Sequence, residues 1–226
     1  MPDKTGRHLL SDADALRRIK LAQIRAQLPA LAVVAVAIAL KAIWRHSGQW
    51  LQGFSLALVL AGIILWIITS LLFRCRQRIA PPAADALLSP IAGSISSLRK
   101  SGNSTELIIS KPPFAPVELR SPHSACRWED GALCLDTPAG RISFRFAFRH
   151  LQSFASASLG AGNLIGMALG QGRCEVTLPG QPELCVQTGD RIDAADPLLP
   201  KINFMTNPPR IPAPDNTAEQ TDQGDI

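Results

Sequence analysis

What the chain lacks first is any framework of metal ligands or disulfides. Its five cysteines, Cys75, Cys126, Cys134, Cys174 and Cys185, are odd in number and form no CxxC pair. Its four histidines, His8, His46, His123 and His150, stand at no ligand spacing and read as solvated side chains. A zinc site is excluded on these grounds, and a reducing compartment is implied. Cys174 alternates with Val176 and Leu178, the pattern of a small core hydrophobe in a strand. The stretch 56–72 has almost no polar residue at helical spacing, which excludes a helix buried in a soluble core.

What the chain has is two long apolar runs, 28–44 (LPALAVVAVAIALKAIW) and 51–73 (LQGFSLALVLAGIILWIITSLLF), separated only by RHSGQW. A bilayer-crossing helix needs about 20 mostly apolar residues to cover roughly 30 Å of hydrocarbon. The second run meets this. The first carries Lys41 near its end, where the ammonium can snorkel to the headgroups. A signal peptide is disfavoured because a second run follows at once and no small-residue cleavage site is present. Two spans in a tight hairpin are predicted; the alternative is one span with the first run interfacial or re-entrant.

The basic residues set the expected orientation. Lys4, Arg7, Arg17, Arg18, Lys20 and Arg25 precede the first run, and Arg74, Arg76 and Arg78 follow the second, against Arg45 and Lys41 near the loop. Basic residues stay on the cytoplasmic side, so both ends and the domain beyond residue 74 are expected at the cytoplasmic face of an inner membrane. Residues 11–27 predict a short amphipathic helix, capped by Ser11 or Asp12, with Leu16, Ile19, Leu21 and Ile24 beside a basic face on the inner leaflet. The net charge of +5 is a membrane-surface signal and not a nucleic-acid one. Small residues in the runs (Ala30, Ala32, Ala35, Ala37, Ala39, Ala57, Ala61 and Gly62) permit close packing, within the hairpin or against a larger membrane complex.

Beyond a Pro/Ala linker the texture becomes β. The division expected is a basic segment 1–27, a hairpin 28–73, a linker 74–86, a mainly β domain 87–206 and a disordered Pro-rich and polar tail 207–226. The run 141–149 (RISFRFAFR) alternates strictly, RCEVTL and ELCVQ alternate on either side of the turn PGQP, and ELIIS at 106–110 is a further strand. The core expected from this pattern is Phe144, Phe146, Phe148, Val176, Leu178, Val186, Ile192 and Leu198.

One local form recurs at 89–98 (SPIAGSISSL), 159–168 (LGAGNLIGMA) and 187–199 (QTGDRIDAADPLL): a glycine turn followed by alternating apolar residues. It resembles the hairpin of barrel-sandwich domains. A lipoyl or biotinyl carrier of that kind needs a lysine at a hairpin tip, and a related metallopeptidase needs paired His and Asp; neither is present. The order of parts resembles the short, membrane-anchored form of phosphatidylserine decarboxylase. The match runs from the hairpin through FRCRQRIAPP, SPIAGSI at 89–95, VELRSP at 117–122, NLIGMALGQGRCEVTLP at 163–179 and VQTGDRIDAADPLL at 186–199. It covers about residues 28–200 and is densest in the last 40.

The resemblance implies a barrel-sandwich-like fold and a self-cleaving Ser that becomes a pyruvoyl group, served by a His base and an orienting Asp. The Ser position falls on Gly172, the Asp position on Ala92 and the His position near Val117. Gly172 has no hydroxyl or thiol, so neither cleavage nor a pyruvoyl cofactor is expected. Gly93-Ser94, the one Gly-Ser pair in the chain, stands at the wrong end of the domain. The expected protein is a membrane-anchored, decarboxylase-like chain without catalysis, an accessory or binding subunit whose partners are the bilayer, anionic phospholipid headgroups and a larger membrane complex, and not nucleic acid. The alternatives are an active or atypical decarboxylase making phosphatidylethanolamine, and a barrel-sandwich membrane adaptor.

Overall fold

The structure is a computed structural model, and it describes residues 8–9, 13–43, 49–75, 78–79, 86–154 and 160–199. The tail at 207–226, most of the linker and the RHSGQW connection apart from its last two residues lie outside the described residues.

Two helices come first: α1 (Ala13–Ile43) and α2 (Gln49–Leu72). The helix expected over 11–27 is neither short nor separate, because it runs without a break into the first apolar run. At 1.5 Å per residue this gives a rod of about 46 Å, more than a bilayer's hydrocarbon needs. Pro29 removes one backbone donor near where the basic stretch gives way to the apolar one. The helices pack through small residues spaced seven apart on each, Ala30 and Ala37 on α1, Ser55 and Gly62 on α2, all buried. A Cβ on Gly62 would lie 2.5 Å from Val34 Cγ2 and 3.2 Å from the Ala30 carbonyl, so the close crossing needs glycine there. At one end of the hairpin Gln27 Nε2 donates to Ser70 Oγ at 2.9 Å. Of the small residues in the runs, Ala30, Ala37 and Gly62 serve the hairpin itself, while Ala32, Ala35, Ala39, Ala57 and Ala61 face outward.

Both helices are long and apolar enough to cross a membrane, and only 11% of each apolar window is buried. Leu31, Val36, Ile38, Phe54, Leu56, Leu60, Ile64 and Trp66 all point away from the protein. That much outward apolar surface calls for an apolar solvent and associates the chain with a membrane.

A mainly β domain follows. Its strands, numbered after the short antiparallel pair β1 (His8–Leu9) and β2 (Arg78–Ile79), are β3 (Leu87–Leu88), β4 (Gly93–Ser101), β5 (Ser104–Lys111), β6 (Glu118–Arg120), β7 (Arg127–Glu129), β8 (Ala132–Thr137), β9 (Gly140–Ser153), β10 (Leu164–Pro179), β11 (Arg191–Ile192) and β12 (Pro197–Leu199). One antiparallel sheet runs β11-β4-β5-β10-β9-β8-β7, with β6 also on β10, and β12 pairs with β3. The sheet is open, with β7 and β11 at its edges. Asp130 (φ 47°) and Gly131 (φ 75°) make the two-residue turn between β7 and β8, where both central positions take positive φ. Gly189 (φ 96°) turns the chain into β11, as its Gly-Asp pattern predicts.

Leu107, Ile109, Leu133, Phe144, Cys174, Val176 and Leu178 meet in the main core with Val186, Ile192 and Leu198. The ELCVQ strand is not formed: 183–187 is coil, and Val186 reaches the core from it. Phe146 and Phe148 are only half-buried, packed against the edge of the core. β8 pairs with β9 only from Gly140 to Arg145, so beyond that point no described strand flanks β9 on this edge and the later phenylalanines lose neighbours there. Trp128 partly shields Phe146, with ring centroids 5.7 Å apart. A second cluster joins the domain to the helices: Ala15 and Ile19 of α1 pack with Phe73, Val117, Phe154, Leu164 and Met167. The apolar stripe expected to lie on lipid is thus partly spent on the β domain, while Arg17, Arg18, Lys20 and Arg25 stay exposed. Arg18 lies over the Phe154 ring, 5.7 Å from its centroid.

Candidate functional site

The long strand β10 changes partners midway. Its C-terminal half pairs with β5, ending at Gly172 opposite Lys111, and its N-terminal end pairs with β6, starting at Met167 opposite Glu118. Between them runs Pro112-Pro113-Phe114-Ala115-Pro116. Three of these five residues have no backbone N–H, so the segment cannot continue the ladder and arches away. Opposite the gap, β10 bulges: its register against β9 shifts between Leu169 and Gly172, and Gly170 takes φ 76°.

Lys111 fills the vacated hydrogen-bonding positions. Its Nζ donates to the Ala115 carbonyl at 3.1 Å and to the Gly170 carbonyl at 3.0 Å. The residue is 2% exposed, and burial pulls its ammonium down to about 8. The gap opens into a cavity of about 750 Å³ whose charged lining, among the described residues, is Arg74, Lys111, Arg191 and one acid, Asp193. Arg74 and Cys75 come directly after α2, so the cavity sits where the chain leaves the second apolar helix. The Arg74 carbonyl accepts from Val117 N–H at 2.8 Å, and the Val117 carbonyl from Ala168 N–H at 2.8 Å, tying the helix exit to β10.

Beside the cavity lies a buried ion pair. Arg120 donates to Glu118 Oε2 at 2.7 Å and to the Gly162 carbonyl at 2.9 Å, with both side chains at 0% exposure. The Cys75 thiol donates to the same carboxylate oxygen at 3.5 Å, and burial, then that negative charge, push it up to about 12. This thiol is no nucleophile.

The three positions singled out by the family pattern converge only in part. Ala92 lines the cavity, and Gly172 adjoins Gln171, which also lines it. Val117 follows the lining residue Pro116, but its side chain is fully buried in the helix-docking cluster. A side chain at Gly172 would collide with Phe148 and come within 2.8 Å of the Ala147 carbonyl. Cys174, two residues on, is buried in the core with its thiol raised far above the usual range by desolvation. His123, expected to be solvated, is 6% exposed, and its Nδ1 accepts from Ala125 N–H at 3.1 Å. His150 is exposed; the side chains of His8 and His46 lie outside the described residues.

Lys111, Arg191 and the Glu118–Arg120 pair escaped the sequence reading as site residues, and Arg74 was read only as an orientation signal. The signal for the first was a lysine followed at once by prolines at the end of an alternating strand. For the pair it was opposite charges two apart in a strand, hence on one face. No family model, curated protein or solved structure matches the chain.

Proposed function

We propose that the chain is a membrane-anchored, phosphatidylserine-decarboxylase-like protein that neither cleaves itself nor decarboxylates, and that binds an anionic phospholipid headgroup as an accessory or binding subunit. The observation that carries this reading is the cavity at the exit of α2, where three cations face one carboxylate at the level an acidic headgroup would occupy. The exposed basic side chains of α1 add to the attraction for an anionic leaflet. In this reading α1 and α2 span an inner membrane, both termini and the β domain are cytoplasmic, and the open β sheet with its glycine-led hairpins is a relative of the barrel-sandwich.

The absence of catalysis is supported from the residues upward. Acyl shift at the 171–172 bond needs an oxygen or sulfur on residue 172, and glycine has none. Ala92 carries no carboxylate and Val117 no imidazole. The crowding at Gly172 by Phe148 and Ala147 supports this reading, since a larger residue there would have to displace them.

The test is native mass spectrometry of the full chain released from detergent with phosphatidylserine or phosphatidylcholine added. A single uncleaved polypeptide should retain phosphatidylserine in preference, and Arg74→Ala with Arg191→Ala should remove the preference. Equal retention of both lipids would overturn the headgroup reading. Two fragments joined near residue 171, the smaller with a blocked N-terminus, would overturn the non-catalytic one.

A further inference from the structure

Among the described lysines, Lys20, Lys41 and Lys100 are exposed and Lys111 alone is buried. A buried ammonium ordinarily has a carboxylate against it. Lys111 has two backbone carbonyls instead, those of Ala115 and Gly170. A neutral amine has two hydrogens and a lone pair, so these two acceptors take both hydrogens and leave the lone pair uncommitted. The cavity wall also carries the charged side chains of Arg74, Arg191 and Asp193, while burial is what disfavours the charged form of Lys111. Cys75 keeps its proton across the neutral range, so the cavity offers no competing thiolate. A desolvated amine among cations is the arrangement that makes a lysine nucleophilic toward carbonyl carbon.

We propose that Lys111 captures small oxo acids as a reversible imine, with the carboxylate of the ligand held by Arg191 and Arg74. The neutral amine adds to the carbonyl carbon, forming a C–N bond and a carbinolamine. Loss of the carbinolamine oxygen as water then leaves a protonated imine. Overall one ammonium and one carbonyl compound give one iminium and one water, with no oxidant or reductant. Where a pyruvoyl protein offers a carbonyl to an amine, this cavity offers an amine to a carbonyl. The assignment shares the cavity with the headgroup reading but does not rest on it, since the bond formed and the ligand differ.

The experiment treats the full chain in detergent with glyoxylate and cyanoborohydride, which reduces the imine to a stable carboxymethyl amine, and maps the modified peptides by mass. At neutral pH Lys111 should be modified about ten-fold faster than Lys20 or Lys100, because more of it is in the nucleophilic form. Lys111→Arg should abolish that adduct while keeping Cys174 protected from alkylation, which shows the domain still folded. Arg191→Ala should slow modification by glyoxylate but not by propanal, which has no carboxylate. Modification spread over Lys20, Lys100 and the amino terminus with Lys111 untouched would overturn the proposal. Equal sensitivity of glyoxylate and propanal to Arg191→Ala would overturn the role of the acid group. A chain that selects phosphatidylserine yet leaves Lys111 unmodified defeats this assignment and leaves the headgroup reading standing.

Discussion

Replacing Arg120 by methionine removes the cation from a pair in which both side chains are at 0% exposure and leaves Glu118 inside the protein with its strongest donor gone. The Cys75 thiol, at 3.5 Å from the same Oε2, is a weak donor that cannot neutralise a carboxylate. Breaking a buried pair from one side costs about 3–5 kcal/mol. The Gly162 carbonyl also loses its 2.9 Å bond from Arg120, which adds on the order of 1 kcal/mol. Together these are comparable with the whole stability of a small domain. The double variant Glu118→Leu with Arg120→Met removes both charges and should recover most of the loss, because the desolvation penalty goes with them. The assay is alkylation of the buried thiols Cys126, Cys134 and Cys174 in a urea series, read by mass, since these react only when the domain opens. If Arg120→Met shifts the domain's opening by less than about 1 kcal/mol, or if the double variant is worse than the single, the pair does not carry this buried-charge cost.

Phe144→Ala should cost about 3–5 kcal/mol by the same thiol assay, and Phe146→Ala clearly less, because the first ring is at 0% exposure and the second is half-buried beside Trp128. Gly172→Ser should destabilise the domain by about 1–3 kcal/mol through the clash with Phe148 and Ala147, and intact mass should still find one uncleaved chain. In intact cells an impermeant maleimide should modify Ser47→Cys but not the exposed native Cys185; modification of Cys185 would reverse the orientation. For pH, Lys111 is protonated below about 8 in the folded chain and below 10.5 in the unfolded one, so above pH 8 the unfolded state holds the extra proton and stability rises with pH. Buried Cys75 and Cys126, at about 12 against 9.0 unfolded, act in the opposite direction above pH 9. The window for the lysine is therefore pH 8–9, where the wild type should gain up to ~1.4 kcal/mol that Lys111→Met does not; parallel profiles would refute the buried amine.

Much of the architecture could be read residue by residue because its patterns are local. The strict alternation at 141–149 lies within β9, and the two apolar runs lie within α1 and α2. The failures arose where long-range pairing decides. Alternation in ELCVQ was real, yet no partner strand comes to it, and its Leu184 and Val186 reach the core from coil. Alternation likewise put Phe146 and Phe148 in the core, but one strand's alternation does not tell how far its neighbour β8 runs alongside it. The N-terminal helix showed an apolar stripe at Leu16, Ile19, Leu21 and Ile24 without saying whether lipid or protein would meet it, and Ile19, with Ala15, meets protein. The candidate site was the least legible part. Its cavity depends on where β5 leaves β10 and β6 joins, a register that no single segment encodes.

The cavity and the glycine at 172 have a common physical origin. The prolines at 112, 113 and 116 break the ladder opposite 169–171, and on that edge β10 must satisfy its carbonyls otherwise. Lys111 does so at Gly170, which requires the amine to be buried at the end of β5 and therefore aligned with Gly172. A reactive side chain at 172 would have to share this narrow opening with Phe148 from β9 on the other side of the strand. With glycine there, the phenyl ring closes one side of the strand while the lysine and two arginines line the other. The charged groups of the cavity thus gather where β5 leaves β10, beside the exit of α2, and residue 172 contributes only backbone there. The proposed binding of an acidic headgroup draws on that arrangement.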